Sequence, residues 1–600
     1  MTALPPPSFD LAPDYGRDKS TSLAQAIRTQ VQPGMALHVC WSDARPNAAL
    51  MEIVRQFGGK APDFTISSVG FANSQAALVA AGVVKRLITA YAGESYPAGA
   101  INPLFKRAID EGKVEIEHWS QWTLVQRLMA GALGLPFMPT RSLRGSALAD
   151  GLRGTGYADV TDPFSGAVAG VVAPLVPDLA LLQGVAADRN GNVVMASPYG
   201  ESAWGALAAR QGVIACVERI VSTEEIRRYN TLVRVPGHAV VAVCEVPFGS
   251  HPYGSFSGAF EGVPGYVEDA PFIADVAAAC RDRESFARWL QEWVTGVPDH
   301  AAYLHKLTPT RLAGLQESAR PDHWITELPA LARLADASDA TAEERMIVAA
   351  SRCIARAVRE RGHDTVLAGI GASNLAAWLA ERTLTAQGVD VGLVSEIGIY
   401  GSSPRPGEPF VFSNRNLATS RCLTDVSVTL GTLVSGAHNR CLGAIGAALV
   451  DGEGNIASTY DNDGGFLVGS GGANDIASAA REVIVTVRHG PSRLVPSVAH
   501  VTSPGHAVRT IVTSRAVLER EAPGTPFAIR RVLGGESLPE AIAQVRAECG
   551  FALQVHPDVA FESLPTPDEL GALRMFDPRR TFLGRRPAER AAGAAKVPAP

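Results

Sequence analysis

The sequence predicts an α/β protein built of two related open domains, and three observations predict it. Short Val/Ile/Leu/Ala runs alternate with amphipathic stretches along the whole chain, as parallel strands covered on both faces by helices require. Turn and strand segments recur in the same order in the two halves at a nearly constant interval. A Pro/Ala/Asp-rich region from about Arg320 to Ala340 separates the halves and is followed at once by a helix-start signal.

The composition bounds what such a protein does. The chain has 600 residues, 46% apolar and 19% charged, with a mean hydropathy of +0.08; this is ordinary globular material. Lys+Arg number 54 against 60 Asp+Glu, a net charge of −6, so no basic excess exists to neutralise a nucleic-acid backbone and no nucleic-acid partner is expected. The start, Met-Thr-Ala-Leu-Pro-Pro-Pro, lacks a basic and then apolar leader. The longest apolar stretch, Gly166 to Pro177, is too short for a bilayer. The eight cysteines contain no CxxC, and Cys216 and Cys244 sit inside apolar runs. They read as buried thiols of a cytoplasmic protein with no membrane partner. The thirteen histidines show no metal spacing, so no metal is expected; His238, His251 and His506 read as turn residues.

Taken in order, residues 1–20 are Pro/Ala-rich and read as disordered. The first domain is read as 21–325, with a strand near Arg86–Tyr91 and a helix near Leu104–Glu111. A linker follows at 326–341. Thr341-Ala-Glu-Glu344 is a capping box, and Met346, Ile347, Ala350, Ile354 and Val358 then recur at helical spacing. The second domain is read as 342–580, with a strand at Thr365–Gly369, a helix at Ser373–Thr383, and a disordered tail at 581–600. The repeat ties the domains together. Asp188-Arg-Asn-Gly191-Asn192 matches Asp451-Gly-Glu-Gly454-Asn455, and Pro236-Gly-His-Ala-Val240 recurs as Pro504-Gly-His-Ala-Val508.

Three segments are candidates for chemistry. Gly369-Ile-Gly371-Ala-Ser-Asn374 follows a strand, opens a helix and has Asp390 downstream; it reads as a dinucleotide turn or as a plain tight turn. Leu393-Val-Ser-Glu396-Ile-Gly398 runs an apolar strand straight into a carboxylate, whose desolvation raises its pKa and nucleophilicity; a simple turn cap is the alternative. Gly464 to Gly472 holds five glycines ahead of a helix, leaving backbone amides to face an oxyanion, or else forming a flexible link.

Ser395-Glu396-Ile397-Gly398, the Gly469-Ser-Gly471-Gly472-Ala-Asn-Asp475 loop and the duplication together resemble the family I CoA-transferases, most of all the glutaconate type with α-like and β-like halves in one chain. Val84–Glu94, Glu115–Leu124, Gly134–Thr140, Leu442–Ala447 and Thr502–Gly505 extend the likeness from about residue 20 to about 580. The resemblance implies two CoA-transferase-type α/β domains and a ping-pong transfer of CoA from an acyl-CoA to a carboxylic acid. It makes Glu396 the nucleophile that carries a glutamyl-CoA thioester. It assigns Gly469, Gly471, Gly472 and Gly398 to the oxyanion and CoA, and Gln121, Gly70, Phe71 and Glu94 to the substrate pocket. CoA enters as part of the substrate, with no tightly bound cofactor, and a homo-oligomer is compatible with the reading. Ile397 stands where the succinyl/oxoacid branch carries a polar residue, and His38–Asp43 replaces a glycine-rich segment. A CoA-thioester or carbon–carbon hydrolase using Glu94, Glu115 or Glu117 as base, and a non-catalytic acyl-CoA binder, are the alternatives.

Overall fold

A computed structural model describes residues 16–42, 44–334 and 339–584. Each half is built on one mostly parallel sheet. The first runs Glu115–His118, Val84–Gly93, Phe64–Ala72, Ala36–Val39 and Leu179–Asp188, then Val213–Val221 and Val240–Glu245, all parallel. The second orders Gly392–Ser395, Thr365–Ala368, Cys441–Gly446, Glu482–Val487 and Val508–Thr513 the same way, then adds antiparallel strands at both edges. Helices cover the faces, and the central strands are buried on both sides, which explains why they read as unbroken apolar runs.

The duplication persists to single hydrogen bonds. In both halves the Asp of the turn accepts the Asn backbone N–H, at 2.9 Å for Asp188–Asn192 and 3.0 Å for Asp451–Asn455. The Asn side-chain oxygen then accepts the amide of the Pro-Gly-His glycine, at 3.0 Å from Gly237 and 2.9 Å from Gly505. The next strand pair slips register at its first step in both copies: Val213↔Val240 then Ile214↔Ala242, and Val483↔Val508 then Ile484↔Thr510. A bulge repeated at one position is an inherited feature of the fold. His238 and His506 are exposed in these turns, whereas His251 is buried between Tyr303 and Asp269.

The capping box forms as read: the Thr341 N–H donates to Glu344 at 2.8 Å and the Glu344 N–H to the Thr341 hydroxyl at 3.1 Å. The helix it opens, Ala342–Arg361, buries the whole apolar stripe.

The connecting region differs from expectation. His323–Leu334 is a helix despite Pro329. Glu327 on it pairs with Arg415 of the second half through two bonds of 2.7 Å, and the Arg405 guanidinium lies 5.2 Å over Trp324. Trp324, Leu328 and Leu331 already carry the helical period. The ends also differ. Lys19 and Thr21 hydrogen-bond to Arg189 and Val243, and Thr581 and Phe582 donate to Asp577, so both segments are packed. The expectations for 1–15, 335–338 and 585–600 lie outside the described residues.

Replacing Asn192 or Asn455 with Ala leaves a buried glycine amide without its acceptor. Each change is expected to cost about 1–3 kcal/mol, read as matching downward shifts of the denaturation midpoint.

Candidate active site

Glu396 stands at the tip of an elbow. The strand Gly392–Ser395 ends, three residues reverse the chain, and Ile399–Tyr400 returns with Ser395 opposite Ile399. The reversal needs Gly398 at φ 115°, where any side chain would also overlap the Thr424 carbonyl. Ile397 points into an apolar cluster with Tyr96, Ile399 and Phe410, which turns its neighbour Glu396 the other way. The elbow is held from two sides, since the Gly200 N–H of the first half donates to the Ile397 carbonyl at 3.0 Å and the Thr429 hydroxyl to that of Glu396 at 2.8 Å.

The glycine loop reaches Glu396 by docking on the other half. The Ala92 N–H donates to the Val468 carbonyl at 2.7 Å, Gly469 pairs antiparallel with Tyr91, and the Gly471 N–H donates to Ala90 at 2.9 Å. The Gly471 carbonyl accepts the Gln121 N–H at 2.9 Å. This strand-like contact leaves no room for side chains: a methyl on Gly469 would strike the Ala90 carbonyl, and one on Gly472 the Glu396 carboxylate. The Gly472 N–H faces that carboxylate closely enough to favour its charged form.

Next in the chain, Asp475 crosses back into the first half. Its two oxygens accept the Ser120 hydroxyl at 2.6 Å and the Trp122 N–H at 2.9 Å, at the N-terminus of the helix Gln121–Leu133. Asn474 does the same beside it, accepting the Leu143 N–H at 2.8 Å. Sequence reasoning passed over Asp475 as part of a helix; its place in the first turn after the glycines was the available signal.

Burial raises the Glu396 carboxyl to about 7, the Asp475 charge adds to the shift, and the Gly472 amide opposes it. Asp475 is itself pushed to about 6 by burial, against the pull of Ser120 and Trp122. Glu94 rises to about 7 because burial outweighs the side-chain donors of Asn102 and Asn73. Tyr91 sits between these acids; burial first, then the Glu94 and Glu396 charges, raise its phenol.

The sequence-derived set therefore divides. Glu396, Gly472 and Gln121 come together where the halves meet, Glu94 acts with Glu396 on the same Tyr91, and the buried Gln121 amide nitrogen has no hydrogen-bond partner among the described residues. The amides of Gly398, Gly469 and Gly471, expected to serve the oxyanion or CoA, are spent on Ser395, Ser458 and Ala90, because tight turns and close docking consume them. Phe71 is a correction, buried against Phe105 with ring centroids 5.1 Å apart. Gly70 makes room for the Trp41 ring. Glu117 is held by Arg86, Arg127 and Trp119, and Glu115 is exposed. At the Gly369–Asn374 turn, Asn374 donates to Pro409 at 3.2 Å and Asp390 is paired with Arg421 at 2.7 Å, so no free acid waits for a ribose. Among the described residues no three His, Cys, Asp or Glu side chains group to hold a metal.

The family model described as coenzyme A transferase matches residues 20–245. One of the subunits of glutaconate CoA-transferase from Acidaminococcus fermentans is 31% identical over 314 residues, covering 50% of this chain and 94% of that protein. The chain belongs to the coenzyme A transferase family. Two subunits of 3-oxoadipate CoA-transferase from Pseudomonas knackmussii are similar to it as well. The first is 30% identical over 44% of this chain and 88% of its own length, and the second 29% over 39% and 93%. An acyl-CoA transferase from Escherichia coli O157:H7 shares the fold across 97% of this CoA-transferase chain and 99% of its own, with a TM-score of 0.62 at 16% identity. No helix among the described residues is long and apolar enough to cross a membrane.

A carboxyl whose folded pKa lies above its unfolded value stabilises the fold only while protonated, and the charge penalty grows as pH rises towards 7. Glu396→Gln is therefore expected to raise the denaturation midpoint at pH 8 and to leave it unchanged at pH 4. Gly472→Ala is expected to keep the fold but to lower turnover at least about 10²-fold, because the added methyl pushes the Glu396 carboxylate away from the Gly472 amide, an effect of the size associated with losing one positioned donor.

Proposed function

We propose that this enzyme moves CoA from an acyl-CoA thioester to a carboxylic acid, with Glu396 as the nucleophile of a ping-pong cycle. The single observation that carries the reading is the Glu396 elbow: a desolvated carboxylate, facing the Gly472 amide, in a cleft that both halves build. The Glu396 carboxylate attacks the thioester carbonyl, the carbon–sulfur bond breaks, and an acyl-glutamyl anhydride and CoA thiolate result. The thiolate attacks the glutamyl carbonyl, releasing the first acid and leaving a glutamyl-CoA thioester. The acceptor carboxylate attacks that thioester and the thiolate returns to the new acyl group, which restores Glu396.

The raised pKa serves this chemistry, because a more basic carboxylate is a stronger nucleophile once ionised. Gly472 holds one carboxylate oxygen and so fixes the line of attack. Asp475 keeps the basicity high from behind. Gln121, with its free side-chain nitrogen, is the pocket donor for the acyl or acceptor group. We take CoA as part of the substrate rather than a resident cofactor. We assign 21–325 as the α-like and 342–580 as the β-like domain, and the six buried free cysteines fit work in a reducing cytoplasm.

A second reading rests on Glu94, a buried carboxyl with a pKa near 7 beside the same Tyr91. As a base for water it would make the protein a CoA-thioester or carbon–carbon hydrolase. A plain acyl-CoA binder gains nothing from desolvating two acids.

Incubation with acyl-CoA alone is expected to leave a glutamyl-CoA thioester that hydroxylamine traps at Glu396, and Glu396→Ala to abolish both adduct and turnover. Steady turnover needs an added carboxylic acid. Continuous CoA release without acceptor or adduct, lost in Glu94→Gln, establishes the hydrolase instead. The rate should rise with pH through about 7 as Glu396 ionises, and Asp475→Asn should move that limb to lower pH by removing the neighbouring charge.

A further inference from the structure

The helix Ala342–Arg361 carries several arginines, and most of them are spent. Arg352 pairs with Glu562 and Glu569, Arg356 with Glu519 and Arg361 with Glu482, while Arg359 donates to Gln387. Arg345, at the start of the helix, is the exception. Its side chain is half-buried and its Nε is withdrawn from solvent, yet the guanidinium has no hydrogen-bond or carboxylate partner among the described residues. A cation held out of water without an acceptor costs the fold stability, and an oxyanion removes that cost.

Arg345 lines a cavity of about 240 Å³. The topology makes the space. Ala528–Val532 and Gln554–Phe561 run parallel with Val532 opposite Phe561, and the chain leaves both at the same edge of the sheet. Residues 533–535 and 562–565 then part, and the gap between them faces the Arg345 side chain. Gly534 and Gly535 stand at φ 132° and 136°, a backbone that side chains resist. A methyl on Gly534 would lie 3.7 Å from Arg345 Nη1, so the glycine backbone runs beside the guanidinium. The N–H groups of both glycines donate to nothing among the described residues. The remaining wall is apolar: Leu533 is buried, and Phe561 and Leu564 are 41% and 75% exposed. The one acid in the lining, Glu562, is already bound to Arg352 at 2.7 Å.

We propose that this cavity binds a short aliphatic carboxylic acid, its carboxylate on the Arg345 fork and its chain against Leu533, Phe561 and Leu564. One unpaired cation matches one carboxylate, which guanidinium grips with two parallel bonds. The apolar wall calls for a hydrocarbon tail rather than a bare anion. The volume lies below the roughly 300–1,000 Å³ of sites for larger ligands, which excludes a whole CoA ester. The site is separate from Glu396. Six strand steps lie between Gly392–Ser395 and Ala528–Val532, on the order of 30 Å at about 4.8 Å per step, and nothing in the assignment depends on the role of Glu396.

The test is hydrogen exchange on the full-length protein with sodium hexanoate, and in parallel with inorganic phosphate. Hexanoate is expected to slow the amides of residues 533–537 and 562–564, equally in the wild type and in Glu396→Ala. Arg345→Gln should raise the hexanoate concentration needed about ten- to a hundredfold, the loss of a charge-assisted bond, with CoA transfer retained. Leu564→Glu changes an exposed side chain, places a carboxylate at the mouth, and should weaken hexanoate in the same way even if Arg345→Gln misfolds. Hexanoate that leaves these amides unchanged overturns the proposal. So does protection that persists in the folded variants, or that vanishes in Glu396→Ala, because the acid then acts from elsewhere. Protection by phosphate but not by hexanoate overturns the assignment of an aliphatic acid.

Discussion

The backbone contact between Val468–Gly471 and Ala90–Ala92 determines where the two halves of this CoA-transferase meet. It is a fragment of antiparallel ladder made between domains, with no side chain in between. Everything at the cleft is measured from it. Gly472 lies one residue further and touches Glu396; Gln121 hangs from the Gly471 carbonyl; Asp475 follows in the first turn of the next helix and caps a helix of the opposite half. A ladder is stiff and has one register. A docking made of long side chains would let the carboxylate and its amide drift by more than the tolerance of the chemistry.

That rigidity is maintained against an electrostatic cost. Three carboxyls, Glu94, Glu396 and Asp475, are withdrawn from water around one space, and among the described residues none has a cation bonded to it. Neutral donors hold them: Asn73 and Asn102 for Glu94, Gly472 for Glu396, Ser120 and Trp122 for Asp475. Each donor eases the burial of charge without cancelling it, so all three carboxyls stay more basic than free ones. A lysine or arginine in any of these places would ease the burial of charge and lower the pKa of Glu396.

The α/β layering, the duplication and the elbow that carries Glu396 were legible because they rest on local signals. Strands buried on both faces leave unbroken apolar runs, and a Gly two residues after a carboxylate marks the elbow. The roles of the glycines were less legible. A segment so rich in glycine looks like a nest of free amides, and only the partner strand at Ala90 shows that the docking uses most of them. Phe71 failed because alternation along Phe64–Ala72 sends neighbouring side chains to opposite faces, and the sequence does not say which face is the cleft. The helix at His323–Leu334 was masked by its proline, and its partners Arg405 and Arg415 lie some eighty residues on, beyond the reach of any local pattern.

That helix has a further consequence. It joins the halves covalently and leans on the second one through Glu327 and Arg415. Were the two halves separate chains, their contact would be the product of a binding equilibrium. Here the partner arrives at an effective concentration set by a short tether, of millimolar order. Dilution therefore leaves each cleft assembled, and synthesis delivers both halves in equal number without any matching of expression.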